Sequence, residues 1–248
     1  MSYKAEEIRP YDTKNSKREQ VELMFDGIAS NYDSMNSWLS LGLDMWWRKK
    51  ALRKLRGMAI DNLLDIATGT GDFALLAHDI LKPKQIVGMD ISEGMMDVGR
   101  AKVAKANLTD VISFEYQDCA SMSYADASFD AAISSFGVRN FADIDASFKE
   151  IVRVLNPGGM FMFIELTTPT IQPFKFFYNI YSKSFIPFIT RMLSTDERAY
   201  DYLPASIKAF PQGKEMSHIL EKNGFETVKR STLTMGVCTV YMAKKAVE

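Results

Sequence analysis

Cysteine and histidine are the scarcest reactive side chains in this sequence, with two of each among 248 residues. Cys119 and Cys238 belong to no C-x-x-C pair and to no spacing with histidine that would hold zinc. Their positions argue against a disulfide framework and against a structural metal. His78 and His218 fall in predicted outer helices, away from any expected site. The sequence therefore predicts two core thiols and no metal site.

Long apolar runs are also missing, because no uninterrupted stretch reaches the roughly eighteen residues of an ordinary membrane span. The polar N-terminus has no apolar core of a secretory signal. We expect a cytoplasmic protein whose only membrane contact is peripheral, at the inner face of the cytoplasmic membrane. Neither sign of charge dominates, since 30 basic residues face 31 acidic ones. The chain lacks the basic field of a nucleic-acid-binding protein.

What the sequence does contain is the pattern of an α/β protein. From about residue 62, short apolar runs alternate with amphipathic stretches, which is typical of βαβ units and a doubly wound sheet. Parallel strands are expected at 63–67, 85–90, 112–118, 129–136 and 160–166. Helices are expected near 72–80, 92–106, 142–155 and 213–223. The runs 226–233 and 236–245 are close enough for an antiparallel pair, which makes the sheet seven-stranded and mostly parallel.

The length and this pattern predict one domain with four parts. An N-terminal helical cap spans 1–61, a ligand-binding core spans 62–166, and a helix with the antiparallel strand pair spans 212–248. Between them, the aromatic segment 167–211 interrupts the alternation of strands and helices. Its apolar density fits a core helix, whereas its place after the fifth strand fits a cover over a substrate.

A glycine loop follows the first predicted strand, with the sequence Thr68-Gly69-Thr70-Gly71-Asp72. Backbone N–H groups crowd where such a strand turns into a helix, which favours ligand binding. The alternative is a tight turn without a ligand. The spacing Gly69-x-Gly71-x-x-Ala74 suits a dinucleotide and S-adenosylmethionine equally well.

Three aspartates near this loop narrow the choice of ligand. Asp90 ends the second strand about twenty residues after the loop, where a carboxylate can accept from both ribose hydroxyls. Asp118 ends the third strand and can accept from an adenine amino group. Asp65 lies inside the first strand, and its carboxylate would repel a pyrophosphate but attract a cationic amino-acid ligand. Asp65, and the absence of a Tyr-x-x-x-Lys pair within 62–166, weaken the alternative of an NAD(P)-binding oxidoreductase. An inactive binding module with the same fold remains a further alternative.

Several stretches carry a resemblance to known proteins. The segments DIATGTGDFA, GMD, FDAAISSFGVRN and LNPGG resemble those of class I S-adenosylmethionine methyltransferases. The segment YDSMN (32–36), with Ser40 and Trp47 after it, and RVLNPGGMFMFIELTTP (153–169) resemble the signatures of the UbiE/MenG family of ubiquinone and menaquinone biosynthesis C-methyltransferases. The similarity runs from about residue 20 to the C-terminus. Two positions depart from the signatures: Asp44 replaces a usual histidine and Asn156 a usual lysine.

The resemblance implies a fold, a cofactor and a substrate. The fold is the Rossmann-like one of class I methyltransferases, with an N-terminal helical extension and a helical insertion after the fifth strand. S-Adenosylmethionine is the implied cofactor, and Thr70, Asp90, Asp118, Cys119 and Ser135 are its implied contacts, in addition to Asp65, Gly69 and Gly71 of the loop argument. A prenylated quinol is the implied substrate. We expect methylation of a ring carbon of demethylmenaquinol, with 2-polyprenyl-6-methoxy-1,4-benzoquinol as the alternative substrate and a homodimer as an open expectation.

Methylation of a quinol carbon requires an electron-rich ring. Loss of a hydroxyl proton provides it, at a cost of about 4 kcal/mol at pH 7 for a phenol with tyrosine's pKa. A nearby guanidinium lowers such a pKa by ~1–3 units, and Arg139, directly after the fourth strand, is the candidate; its alternative is a surface salt bridge. Asn140 is expected to orient the same oxygen. Tyr32, Tyr200 or a water held by Arg139 would relay the proton.

Overall fold

The computed structural model describes residues 3–185 and 197–247. Within these residues, seven strands form one sheet. They are β1 (Asn62–Ile66), β2 (Gln85–Asp90), β3 (Ile112–Tyr116), β4 (Phe129–Ser135), β5 (Leu155–Leu166), β6 (Phe225–Leu233) and β7 (Cys238–Lys245). The strand order is β3-β2-β1-β4-β5-β7-β6. Only β7 runs against its neighbours β5 and β6, so the prediction of a mostly parallel seven-stranded sheet is confirmed.

Ten α-helices accompany the sheet in the described part of the chain. They are α1 (Lys4–Glu7), α2 (Lys17–Ile28), α3 (Tyr32–Leu39), α4 (Leu43–Leu52), α5 (Asp72–Leu81), α6 (Glu93–Lys105), α7 (Ile144–Val154), α8 (Phe174–Ile180), α9 (Glu197–Ala209) and α10 (Lys214–Lys222). A π-helical turn, Tyr181–Phe185, continues α8. Helices α1 to α4 precede the sheet, and α8 and α9 follow β5. None of the described helices combines the length and the apolar character that crossing a membrane requires.

Helices cover both faces of the sheet because its parallel strands are apolar on both sides. Successive residues of a strand point to opposite faces, so Leu63 and Leu64 of β1 enter two different core clusters. One cluster includes Phe148 of α7, and the other includes Phe73 of α5. Helix α7 starts at Asp143, whose side chain accepts a hydrogen bond from the Ala146 N–H group. Burying each large apolar side chain contributes roughly 1.5–3 kcal/mol.

Strand β5 begins earlier than the sequence indicates. The sequence Asn-Pro-Gly-Gly at 156–159 predicts a turn that stops the preceding helix, but Leu155 already pairs with Phe129 of β4. The next pair joins Met160 to Ala131, so four residues bulge out opposite Asp130. Gly158 sits in this bulge with a φ of +75°, a conformation that favours glycine. The Asn156 amide donates to the Asp130 carboxylate over 2.8 Å, which stabilises the bulge.

The N-terminal helices are attached to the loop after β4 by a buried lysine. The Lys17 ammonium donates to the carbonyl oxygens of Ala5, at 2.7 Å, and Phe141, at 2.9 Å. Burial lowers the pKa of Lys17 to about 8, partly offset by the charge of Glu6. In addition, Val21 of α2 and Tyr202 of α9 share a small apolar cluster. These contacts hold α2 over the carboxyl edge of the sheet.

The lowered pKa of Lys17 predicts a pH-dependent contribution to stability. Between pH values of about 8 and 10.5, the unfolded chain keeps a proton at Lys17 that the folded chain has released, so this group makes the fold more stable as the pH rises. The free energy of unfolding of the parent, relative to Lys17→Met, should therefore increase by about 1–2 kcal/mol between about pH 7.5 and 9.5. Urea unfolding of both proteins at each pH measures this free-energy difference. A difference that stays the same from about pH 7.5 to 9.5 would contradict the prediction.

Candidate active site

The glycine loop connects β1 to α5 as the sequence predicts. Gly69 has a φ of +55° and Gly71 a φ of +76°. A Cβ atom at Gly71 would lie 2.8 Å from the Phe114 ring, so a side chain at this position would force Phe114 to move. The Gly71 N–H group donates to the Thr68 carbonyl over 3.0 Å and closes the turn. The loop is a close-packed backbone cradle at the carboxyl end of β1.

Asp90 lies beside this loop, at the end of β2. Its two carboxylate oxygens accept from the backbone N–H groups of Gly69, at 2.8 Å, and Ser92, at 3.0 Å. Burial raises the pKa of Asp90 to about 6, although these backbone donors act in the opposite direction. The Asp90 carboxylate therefore fixes the position of the loop relative to the start of α6. It also faces a cleft.

This cleft, which we call the carboxyl-edge cleft, opens over the ends of β1 to β4. Of the predicted cofactor contacts, the structure places five on its lining: Gly69, Asp90, Asp118, Cys119 and Ser135. The cleft is also lined by side chains of the N-terminal helices, Arg18, Val21, Phe25 and Tyr32. The N-terminal helices and the ends of the strands therefore enclose the same cleft.

Asp65 of β1 and the loop residues Thr70 and Gly71 do not line the carboxyl-edge cleft. Asp65 is fully buried, and one of its oxygens accepts from the Thr68 hydroxyl over 2.7 Å. The other oxygen has no hydrogen-bond partner among the described residues. Burial raises the pKa of Asp65 to about 7. The Thr70 hydroxyl donates to Asp33 over 2.6 Å. Their direct contact with a cofactor stays a prediction, and the structure shows them supporting the loop.

Asp118 has a partner that sequence reasoning missed. Arg18 of α2 lies across the cleft, with its Nε atom 2.8 Å from the Asp118 carboxylate. Its Nη2 atom also donates to the Tyr116 hydroxyl over 2.8 Å. No motif in the sequence marks Arg18, because its role depends on how α2 packs over the ends of β2 and β3.

A second cavity, which we call the apolar pocket, adjoins the carboxyl-edge cleft at Phe136, whose ring contributes to both. Its wall is mostly aliphatic and aromatic. The apolar lining comes from α3 and α4, from the end of β5, from α8 and α9, and from the turn before β7: Leu39, Leu41, Leu43, Trp47, Leu166, Phe174, Phe177, Leu203, Ile207, Met235 and Val237. Polar groups are few, and they include Asp44 and Arg139.

Arg139 lies in the short 3₁₀ turn after β4 and reaches the apolar pocket. Only 7% of its surface is exposed, which excludes the surface salt bridge considered as its alternative role. Its Nη1 atom is 2.7 Å from Glu165 of β5 and also donates to the Phe136 carbonyl. The Arg139 backbone N–H group donates to the same carboxylate over 3.2 Å. Glu165 is fully buried, and no sequence signal connected it with Arg139.

Asn140, the neighbour of Arg139, faces the carboxyl-edge cleft. Its Oδ1 atom accepts from the hydroxyl group of Tyr202 over 3.1 Å, and burial raises the pKa of Tyr202. Tyr32 lines the same cleft, and burial raises its pKa too, while the charge of Arg139 lowers it. Tyr200 belongs to α9, but its side chain lies outside the described residues. The tyrosine that the structure shows at Asn140 is therefore Tyr202.

Arg48 of α4 was also missed, although it joins the two cavities. Its Nε atom donates to Ser135 over 3.0 Å, and its Nη1 atom pairs with Asp44 at 3.1 Å and Asp72 at 3.4 Å. The guanidinium also lies 5.6 Å from the centre of the Phe136 ring, within cation–π range. The buried Arg48 guanidinium thus positions both Ser135, which lines the cleft, and Asp44, which lines the pocket.

Comparison with known sequences identifies the family. The model of the ubiE/COQ5 methyltransferase family matches residues 13–245. A Bacteroides fragilis protein named demethylmenaquinone methyltransferase is 50% identical over 99% of this chain and 100% of its own length. A Porphyromonas gingivalis protein of the same name is 44% identical, over 97% and 98%. The Geotalea daltonii ubiquinone/menaquinone biosynthesis C-methyltransferase UbiE is 37% identical, over 92% and 97%.

Solved structures with low sequence identity share the fold. The cyclase SpnF superposes with a TM-score of 0.71 at 16% identity, covering 93% of this chain and 97% of its own. The phosphoethanolamine N-methyltransferase 2 of Haemonchus contortus, solved with S-adenosylmethionine, gives a TM-score of 0.61 at 16% identity, covering 81% and 52%. These confirm the predicted class I methyltransferase architecture. With the family match over nearly the whole chain, they show that this protein belongs to the ubiE/COQ5 methyltransferase family and confirm the expected S-adenosylmethionine-dependent enzyme.

Proposed function

We propose that this protein transfers a methyl group from S-adenosylmethionine to a ring carbon of demethylmenaquinol, giving menaquinol and S-adenosylhomocysteine. The observation that carries the proposal is the junction of two cavities of different chemistry. The carboxyl-edge cleft presents carboxylates and backbone groups, whereas the adjoining pocket is apolar and contains the buried Arg139. The names of the relatives from Bacteroides and Porphyromonas support the choice of substrate.

The described residues of the cleft fit S-adenosylmethionine. Gly69 brings the backbone of the loop to the cleft wall, Asp90 presents a carboxylate for ribose hydroxyls, and Asp118 presents another just after β3. With a pKa of about 7, the buried Asp65 is partly ionised at neutral pH, and its partial negative charge near the loop suits a ligand with an ammonium group better than a pyrophosphate. When bound, the cofactor supplies an electrophilic methyl group. The residues of the chain hold it and keep water out.

The apolar pocket fits the prenylated part of the substrate. Each CH₂ group withdrawn from water contributes roughly 0.8 kcal/mol, so a tail of a few isoprene units would dominate the binding energy. Phe174 and Phe177 of α8 line this pocket together with Leu203 of α9. These residues support the assignment of 167–211 as a cover over the substrate.

The head group of the quinol would lie against Arg139. Because Glu165 and the Phe136 carbonyl fix the guanidinium, the charge is in place before the substrate binds. A fixed charge in a water-poor site stabilises a developing phenolate more strongly than the same charge in water. Loss of the hydroxyl proton makes the neighbouring ring carbon nucleophilic. Tyr32, Tyr200 or a water held by Arg139 remains the proposed relay for this proton, and Tyr202, whose hydroxyl donates to Asn140, is an additional candidate.

The benzoquinol of ubiquinone biosynthesis is the second candidate substrate. The Geotalea relative carries both quinones in its name. The deciding test is mass spectrometry of the quinones in a strain that lacks this gene, with and without complementation. Accumulation of demethylmenaquinone that complementation reverses would support the proposal, and an unchanged quinone pool would overturn it.

Replacement of Asp90 tests the cofactor site. In Asp90→Ala, the ribose acceptor is lost and Gly69 loses its carboxylate partner, so the dissociation constant of S-adenosylmethionine should rise about ten- to a hundredfold. Isothermal titration measures this dissociation constant. A separate titration with NADH tests the alternative of an NAD(P)-binding protein. Asp97→Ala is the matched control, because Asp97 is an exposed aspartate on α6 that pairs only with Arg100 among the described residues. If Asp90→Ala and Asp97→Ala bound S-adenosylmethionine equally well, Asp90 would not be part of the cofactor site.

Replacement of Arg139 tests the chemical step. Arg139→Ala should lower kcat roughly ten- to a thousandfold, the factor that ~1–3 lost pKa units of phenolate stabilisation would produce, with nearly unchanged affinity for S-adenosylmethionine. Arg139→Lys should restore only part of the rate, because lysine lacks the planar fork. Raising the pH should restore some activity of the alanine variant.

The readout is single-turnover methylation of a short-chain demethylmenaquinol at several pH values. Because a buried carboxylate loses its partner in Arg139→Ala, the double variant Arg139→Ala/Glu165→Gln is included to retain a folded protein. If Arg139→Ala had a normal kcat, or lost the same fraction of its rate at every pH, Arg139 would not stabilise the phenolate, and a tyrosine would be the next candidate.

We also propose that the mouth of the apolar pocket contacts a lipid bilayer. Exposed apolar side chains on the segments that line this pocket form what we call the apolar rim: Trp38, Leu41, Phe174, Phe176, Phe177, Ile180 and Met235. Four of them, Leu41, Phe174, Phe177 and Met235, also line the pocket. Aromatic side chains of this kind insert at the interface of a bilayer. The rim would let a prenyl tail pass from the membrane into the pocket. The expected homodimer stays a prediction.

Vesicle binding tests the rim. Phe176→Ser and Phe177→Ser should each weaken cosedimentation with phospholipid vesicles about tenfold, since a buried phenylalanine contributes roughly 1.5–3 kcal/mol. Leu23→Ser is the matched control, because Leu23 is exposed on α2, outside the rim. High salt should leave the bound fraction intact, because the attraction is apolar. Release by salt alone, or equal loss in all three variants, would contradict the proposal.

A further inference from the structure

The apolar pocket contains one feature that methyl transfer does not explain. Among the described residues of its lining, Asp44 is the carboxylate and Arg139 the guanidinium. Asp44 lies in the first turn of α4 and is only 5% exposed. A buried carboxylate is costly in an apolar surrounding unless it is paired. A group of this kind at a ligand-binding surface points to a role in recognising the ligand.

The contacts of Asp44 leave it able to accept from a ligand. One oxygen accepts from the Ser40 hydroxyl at 2.7 Å, and the other pairs with the Arg48 guanidinium at 3.1 Å. An ionised carboxylate has about four acceptor positions and no donor. These two contacts therefore use part of its capacity. Arg48 itself is only 5% exposed and is held by Ser135 and Asp72 as well.

Quinols and quinones differ in the polarity of their hydrogen bonds. Each oxygen of a quinol carries a hydrogen atom and can donate to a carboxylate. Each oxygen of a quinone is a carbonyl that can only accept, so a carboxylate beside it leaves both groups unpaired and repels the carbonyl dipole. A buried acceptor without a donor loses substantial binding energy, and sites that leave buried polar groups unpaired reject an analogue strongly.

We propose that Asp44 selects the reduced quinol over the oxidised quinone by accepting a hydrogen bond from a ring hydroxyl. Arg139 serves the ring oxygen next to the reacting carbon, and Asp44 serves the other one. The two residues present an acceptor and a donor on the lining of the same pocket, which matches a ring that carries one hydroxyl and one developing oxyanion. Asp44 is thus a specificity residue for the redox state of the substrate. This inference rests on the proposed function.

The experiment compares binding of the two redox states. The probes are demethylmenaquinol with one isoprene unit, kept reduced under anaerobic conditions, and the corresponding quinone, each titrated in the presence of S-adenosylhomocysteine. The parent should bind the quinol at least tenfold more tightly than the quinone. In Asp44→Asn, whose amide can donate to a carbonyl, this preference should fall about ten- to a hundredfold.

Asp72→Asn is the matched control. Asp72 is the other carboxylate on the same atom of Arg48, but it does not line the apolar pocket. Its variant should keep the preference for the quinol. The affinity for S-adenosylmethionine and the melting temperature of each variant report whether the fold and the cofactor site remain intact. Asp44→Leu provides a second measure, since it should bind both redox states without preference.

The outcomes separate this inference from the proposed function. If the parent methylates the quinol but Asp44→Asn keeps the same preference, the inference is wrong and the function stands. If Asp72→Asn loses the preference as fully as Asp44→Asn, the effect belongs to Arg48 and the inference is wrong as well. If the parent neither binds nor methylates the quinol, the proposed function fails and the inference fails with it.

Discussion

The buried ion pair between Arg139 and Glu165 links the loop after β4 to the carboxyl end of β5. Glu165 is fully enclosed in β5, and its carboxylate accepts from the Arg139 side chain, the Arg139 backbone and the Leu166 backbone. Removing two charges from water costs several kcal/mol for each ion, and a pair recovers this only with good geometry and additional hydrogen bonds. Backbone donors supply those bonds here. The pair fixes the position of the loop that separates the two cavities.

The position of this loop determines much of the site. Asn140 follows Arg139 and faces the carboxyl-edge cleft, whereas Arg139 reaches the apolar pocket. The carbonyl oxygen of Phe141 accepts from Lys17, so the N-terminal helices are attached to the same loop. Phe136 has a φ of +61°, which turns the chain sharply at the end of β4 and places its ring in both cavities. This loop therefore sets the relative positions of the two cavities and the N-terminal cap.

Sequence reasoning succeeded where a function depends on local order along the chain. Strand, glycine loop, helix and distal aspartate occur in sequence within about thirty residues, and the structure places Gly69 and Asp90 in contact. Strand periodicity likewise predicted the sheet, including the antiparallel β6 and β7. The bulge at 156–159 was read as a turn because the same residues, Asn-Pro-Gly-Gly, suit both. Only the pairing of Leu155 with β4 distinguishes the two.

Partners that are distant in the sequence could not be found in this way. Glu165 lies 26 residues from Arg139, Tyr202 lies 62 from Asn140, and Arg48 lies 87 from Ser135. The contacts of Tyr202 and Arg48 exist because α9 and α4 fold back over the edge of the sheet, and that of Glu165 exists because β5 pairs beside β4. No periodicity in the sequence encodes these meeting points. Asp65 shows the converse case. Its sequence position correctly indicated a carboxylate near the loop, but only the structure shows that it is fully buried, is hydrogen-bonded to Thr68 and is not on the cleft lining.

Asp44 combines a feature that the sequence reveals with one that only the structure reveals. Its departure from a family signature was visible in the sequence, yet its meaning depends on α4 facing the apolar pocket. Charges of both signs in a pocket that is otherwise apolar interact strongly with a bound ring, because little water remains to screen them. A guanidinium alone would favour any ring oxygen that carries negative charge, including the carbonyl of a quinone. A carboxylate alone would bind the hydroxyl but oppose its ionisation. With both present at different oxygens, one group can identify the reduced ring while the other stabilises the charge that forms on it.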